Sequence, residues 1–150
     1  MIETGSAAAP GVRTIEIEAR LDRLAEVRAF VRSSCAELGA DDDCVVDLVQ
    51  AVDEAATNVV THGYAGRVGP IQVALAPSAD GIRVVIRDRA RAFDPTTIGE
   101  PDLQSARLRP GGMGVHLIRA ATDSMTHDDR PGGGNVLTLM RTLGRREEED

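Results

Sequence analysis

Aromatic side chains are nearly missing from this sequence: two Phe, one Tyr and no Trp in 150 residues. Stacking platforms for single-stranded bases need such rings, so that class of binding is nearly excluded. Lysine is absent as well. All 17 basic residues are Arg, against 24 acidic ones, for a net charge of −7. Affinity for phosphate backbones is built from clustered positive charge, so no direct nucleic-acid partner is expected. Cysteine is limited to Cys35 and Cys44, whose spacing is no zinc pattern, and both read as buried thiols. The three histidines, His62, His116 and His127, are too scattered to propose a metal site. No apolar run approaches the ~18 residues a membrane span needs. Met1–Gly11 lacks the basic and apolar regions of a signal peptide, so the expected compartment is the cytoplasm.

What remains is an ordinary globular balance, 42% hydrophobic and 27% charged, with length for one sizeable core. Thr14–Ala19 alternates Ile with Glu and reads as a half-buried strand. Leu21–Leu38 has helical spacing and stops at Gly39, and Asp41–Asp43 offers caps for a second helix over about 44–61. Ile71–Ala76 and Ile82–Asp88 are apolar strands joined by a turn-forming run at 77–81. From Pro95 to Gly112 periodicity disappears, which in a compact domain suggests a functional lid. A short helix at Val115–Ala121 and strands at Ser124–Asp128 and Asn135–Leu143 complete one α+β domain.

The second helix carries an unusual polar face. On a helical wheel Val45, Leu48, Val49, Val52, Val59 and Val60 share one side. Glu54, Asn58 and His62 recur at intervals of four on the other, alongside Asp47 and Gln50. A solvated face is the plain interpretation. Against it, Asn is unfavourable inside a helix, and no Arg occurs from Asp41 to Tyr64 to pair with the acids. An acid and an amide oxygen one turn apart can hold a hydrated Mg²⁺ and steer a hydroxyl.

Three more elements follow in order. Asp88 ends an apolar strand, where a carboxylate can accept from an exocyclic amine; the simpler reading is a turn-starting Asp. Gly111-Gly-Met-Gly114 precedes a helix, which makes a general anion site or a flexible entry loop. Thr138 stands in an otherwise apolar strand. Taken together, the set describes a nucleotide from adenine to metal.

These motifs resemble the ATP-binding superfamily of type II topoisomerases, heat-shock chaperone ATPases, histidine kinases and mismatch-repair ATPases. Within it they are most similar to the bacterial anti-sigma-factor serine kinases. The run from Asp53 to Tyr64, with Glu54, Asn58 and the His-Gly-Tyr end, matches that family's first signature. Gly111–Ser124 matches its glycine-rich run, and Phe93-Asp-Pro95 fits as well.

The resemblance implies a Bergerat-type fold: an α+β two-layer sandwich, its sheet mixed but mostly antiparallel, with helices on one face. It implies a flexible segment at 1–13, the kinase domain at 14–143 with a lid at about 95–113, and an acidic tail at 144–150. Glu54 would orient or deprotonate the attacking serine, and Asn58 would hold Mg²⁺ on the phosphates of ATP. Asp88 would accept from the adenine amine, supported by Thr138 through water. His62, Ala92, Met113 and Val115 would join the nucleotide site, and backbone at Gly112 and Gly114 would reach the phosphates. Arg107 or Arg109 would serve the γ-phosphate or a partner. The implied partners are an anti-sigma-factor antagonist of the STAS type, a sigma factor and a second copy of the chain. The alternative is a partner-binding module, nucleotide-gated or nucleotide-free, without catalysis. It draws on one departure: Ala90 and Ala92 stand where the family has Gly. At a positive φ each methyl would cost roughly 1 kcal/mol, about five- to tenfold in affinity, and it could crowd the base.

Overall fold

The structure, a computed structural model, describes residues 11–98 and 112–143. Eight regular elements follow in the expected order: β1 (Arg13–Glu18), α1 (Leu24–Glu37), α2 (Asp42–Asn58), β2 (Pro70–Pro77), β3 (Gly81–Asp88), α3 (Gly112–Ala121), β4 (Ser124–Asp129) and β5 (Asn135–Thr142). The strands form one sheet in the order β1-β2-β3-β5-β4. The sheet expected to be mixed is antiparallel at every pairing. Hairpins explain this locally: β2–β3 and β4–β5 are each joined by a short turn, which only antiparallel neighbours allow.

One face of the sheet makes the core. Ile17, Ile71, Val73, Leu75, Ile82, Val84, Ile86, Leu137 and Leu139 alternate inward and are buried. Above them α2 lies between α1 and α3, with α1 over β1 and β2 and α2 touching β5. Each fully buried aliphatic side chain contributes about 1.5–3 kcal/mol. Because α2 is flanked by helices as well as the sheet, its deepest residues are Cys44, Leu48, Ala51, Val52, Ala55 and Ala56. Val45, Val49, Val59 and Val60, placed on the buried side by the wheel, are only half-buried.

Helix ends follow from local chemistry. Asp41 caps α2, its carboxylate accepting from Cys44 N at 3.3 Å. At the end of α1, Gly39 takes φ +86° while Ala40 N bonds back to the Cys35 carbonyl at 3.0 Å. Cys35 and Cys44 are free and fully buried, as expected. Burial first, and Cys44 second, push the Cys35 thiol up to about 12. The acids of α2 do find partners, but far along the chain. Arg28 bonds Asp53 at 2.9 Å, and Arg141, 1% exposed, bonds Asp47 at 3.0 Å. Among the described residues no helix is long and apolar enough to cross a membrane.

Candidate functional site: a nucleotide pocket between α2, α3 and the strand ends

Past Asn58 the second helix widens. Val59–Tyr64 is a π-helical segment, with Ala65 N bonding Val60 O at 3.1 Å. Thr61 donates its hydroxyl to the Thr57 carbonyl at 2.8 Å, engaging an acceptor that the backbone ladder would otherwise use. The stripe at intervals of four is therefore shifted by one residue. Gly63, and not His62, reaches the pocket; His62 is half-buried and its carbonyl accepts from Arg91 Nε at 3.2 Å. Tyr64 then anchors the segment. Its hydroxyl donates to Pro70 O at 2.7 Å and accepts from Arg89 N at 2.8 Å, holding α2 to the ends of β2 and β3.

The pocket encloses about 440 Å³ including its open mouth. Its walls are largely aliphatic: Ala55, Val59, Ile86, Ile118 and Leu137, with Pro95, Phe93 and Gly63. Asn58, Asp88, His127 and Asn135 supply the polar groups. Apolar walls with a few placed polar groups suit a flat heterocycle. Asp88, 3% exposed, lies at the base. Its Oδ1 accepts from Ala90 N at 2.8 Å and from Asn135 Nδ2 at 2.9 Å, which leaves Oδ2 for a ligand's amine.

Asn135 was not singled out from the sequence, and it is Asn135, not Thr138, that bonds Asp88. Its Nδ2 also donates to Arg91 O at 3.0 Å, and its Oδ1 accepts from Phe93 N at 3.0 Å. Since Phe93 N can only donate, that oxygen is assigned, and His127 Nε2 at 2.8 Å must be the donor to it. Thr138 lies three residues further along β5, opposite Val85 and Thr126, so strand alternation turns it to the outer face of the sheet. That placement corrects the expectation of a water-linked Thr138. The available signal was parity: Asn135 shares the inward register of Leu137 and Leu139.

His127 continues the network, with Nδ1 3.8 Å from Asp94 Oδ2. Burial works to raise the Asp94 carboxyl, but hydrogen bonds from Thr96 and the nearby His127 hold it below its ordinary value. The chain enters β5 through Gly134, at φ +120°, where a Cβ would collide with the Asp88 carbonyl.

At the other end, α3 starts at Gly112, so Gly112 and Gly114 lie in its first turn and not in a preceding loop. A Cβ on Gly114 would stand 2.9 Å from Glu54 Oε1 and 3.4 Å from Asn58 Nδ2. The first turn of α3 thus packs closely against the acid and the amide. Asn58 is 7% exposed, and its amide has no hydrogen bond among the described residues. Glu54 is half-buried and likewise unpartnered; burial first, and the Asp53 charge second, raise its pKa. Val115 is fully buried and Met113 half-buried, and neither lines the pocket. Arg107, Arg109 and residues 99–111 of the lid expected at about 95–113 lie outside the described residues; of its described ends, Pro95–Thr97 is a 3-10 turn and Gly112 opens α3. Gly114→Ala is expected to push the Glu54 carboxylate aside and cut phosphoryl transfer by at least about tenfold, with little change in melting temperature. Kinetics beside thermal melts check it.

The Ala90 and Ala92 departure is mild in its geometry. Among the described residues Ala65, at φ 52°, is the one non-glycine with positive φ. The Ala90 methyl packs against Gly63, where a Cβ would approach it to 2.9 Å. It lines a depression behind Gly63, outside the pocket, and Ala92 is exposed.

The family model of the histidine kinase-like ATPase domain matches residues 17–141, which contain the whole pocket. The chain belongs to that family. Among its relatives, the serine-protein kinase RsbW of Staphylococcus aureus is 34% identical over 145 residues, 89% of each chain. RsbW of Oceanobacillus iheyensis is 28% identical over 91% of this chain and 89% of its own. The anti-sigma F factor of a Thermoanaerobacter species is 25% identical over 78% of this chain and 83% of its own. Among solved structures, the RsbU and RsbW domains of Rv1364c from Mycobacterium tuberculosis match with a TM-score of 0.63 at 29% identity. That match covers 89% of this chain and 33% of the other. The family is one of ATP-binding domains, which accords with the pocket.

Proposed function

We propose that this chain is an ATP-dependent serine/threonine protein kinase of the anti-sigma-factor type. The observation that carries this is the pair Glu54 and Asn58, both without a side-chain partner among the described residues and packed against the first turn of α3. Adenine would lie among Ile86, Ile118 and Leu137 with its amine on Asp88. The phosphates would run toward α3. Asn58 would hold Mg²⁺, which supplies charge neutralisation on the phosphates, and a lone amide oxygen suits an ion that keeps most of its waters. The described residues contain no cluster of three acids, His or Cys that could bind a metal by itself, so the phosphates must share the ligation.

Glu54 also lines the groove between α1 and α2, beside Arg28, Arg32 and Val49, from which a protein hydroxyl can approach. As the serine oxygen attacks the γ-phosphorus, the bond to the β–γ bridging oxygen breaks and ADP leaves. Glu54 accepts the serine proton. Phosphoryl transfer asks mainly for positioning and charge stabilisation, so this small set suffices. The substrate would be a serine on a STAS-type antagonist, with a sigma factor and a second copy of the chain as further partners. The mild geometry at Ala90 and Ala92 favours this reading over a non-catalytic module.

Calorimetric titration with ATP, with and without Mg²⁺, tests it. Saturable, magnesium-dependent binding is expected, and Asn58→Ala should weaken Mg²⁺·ATP by at least about tenfold while metal-free nucleotide changes little. Equal losses would remove Asn58 from the metal site. No binding up to millimolar ATP would overturn the kinase reading.

A further inference from the structure

The described arginines differ in what they bond. Arg13, Arg20, Arg23, Arg28 and Arg141 each lie within ion-pair distance of a carboxylate. Of the described arginines without an ion pair among the described residues, Arg67, Arg89 and Arg91 lie together. Arg89 donates to the carbonyls of Pro131 at 3.0 Å and Gly133 at 2.7 Å, and Arg91 donates to that of His62. Carbonyls satisfy hydrogen bonds without cancelling charge. Arg67 has no side-chain bond among the described residues.

These three exposed arginines line one depression together with Tyr64, Val68 and Ala90, and no acid is among its lining residues. In a chain of net charge −7, three uncompensated cations at one opening are a local reversal of sign. Folding gains nothing from holding like charges together, so the cost is offset when an anion binds. Beside them Val68 is 73% exposed, the most exposed of the large apolar residues. On its far side lie Glu16, Glu18 and Arg23, with Arg20 3.6 Å from Glu18. The surface thus offers cations, one apolar contact, then an edge where acids are present.

We propose that this depression docks an acidic segment of a protein partner, with carboxylates on Arg67 and Arg91 and an apolar side chain on Val68. Nucleic acid fits it less well. Only three cations are present, and the acids beyond Val68 would face the continuing phosphates. The proposal is independent of the nucleotide reading, since Gly63 stands between the depression and the pocket and Arg67 does not line the pocket.

Fluorescence anisotropy on the full chain tests it, with a short labelled peptide rich in Asp and Glu around one Leu, and its Asn/Gln analogue. Saturable, salt-sensitive binding of the acidic peptide is expected, with the analogue at least about tenfold weaker. Arg67→Glu, Val68→Asp and the double variant Arg67→Glu/Arg91→Glu should each lose binding by at least about that factor. Arg83→Glu, an exposed charge reversal on β3, should not. Arg67 makes no side-chain bond, so its variant should fold, and unchanged far-UV dichroism and ATP binding would check that. Equal binding of both peptides, or undiminished binding by Arg67→Glu, overturns the proposal. Tighter binding of a short oligonucleotide through the same arginines would overturn the choice of a protein partner.

Discussion

Glu54→Gln is expected to abolish phosphoryl transfer, by at least about a hundredfold, while ATP affinity stays within about twofold. The amide keeps the size and contacts of the side chain but cannot accept the serine proton. The raised pKa of Glu54 gives the experiment two further readouts. Transfer by the wild-type protein should fall as pH drops through the Glu54 pKa, because only the carboxylate is a base. Stability should move the other way. A folded-state pKa above the unfolded value means that the folded chain binds the proton more tightly, so stability is fully present below the unfolded pKa and lost as pH rises through the folded one. Glu54→Gln removes that loss, and at neutral pH it should be at least as stable as wild type in urea. A variant that is inactive yet no less stable separates catalysis from folding. Undiminished transfer of labelled phosphate to a STAS-domain substrate would remove Glu54 from the mechanism.

Asn135→Ala has the second large expected effect, and Thr138→Ala is its control. The first change leaves the Arg91 carbonyl, the Phe93 N–H, His127 Nε2 and Asp88 Oδ1 short of a partner in a buried setting. Each such group costs about 1–3 kcal/mol when wholly unsatisfied, and with relaxation the total should be about 2–4 kcal/mol. ATP affinity should fall by about tenfold, since Asp88 loses the bond that orients it toward the base. Thr138→Ala, on the outer face, should stay within about 0.5 kcal/mol and leave ATP binding unchanged. Urea melts and calorimetry decide between them. The opposite ranking would mean that the register of β5 against β3 is wrong.

That pair of residues marks where reading the chain stops being enough. Period-two alternation identified β5 as a strand, but a polar residue in an apolar strand draws attention whichever way it points. Only the pairing of Asn135 with Asp88 at the sheet end says which polar residue faces in. His62 failed for a related reason. The interval of four assumes a regular α-helix, and the switch to i→i+5 bonding beyond Asn58 replaced it with Gly63. The unpaired acids of α2 were misjudged because Arg28 and Arg141 arrive from α1 and β5.

The sequence by itself determined the order of the elements, the caps at Asp41 and Gly39, and the placing of Glu54 and Asn58 one turn apart on α2. Those features rest on local periodicity, turn chemistry and short spacing, which act between near neighbours in the chain. The tertiary structure decided what depends on distant segments meeting. It brought α3 against Glu54 and Asn58, set Asn135 and His127 around Asp88, and turned Thr138 away. It also put the Ala90 methyl on Gly63 and gathered Arg67, Arg89 and Arg91 at one opening. Each of those contacts joins residues from different elements, and their register is set by packing the whole sheet against three helices.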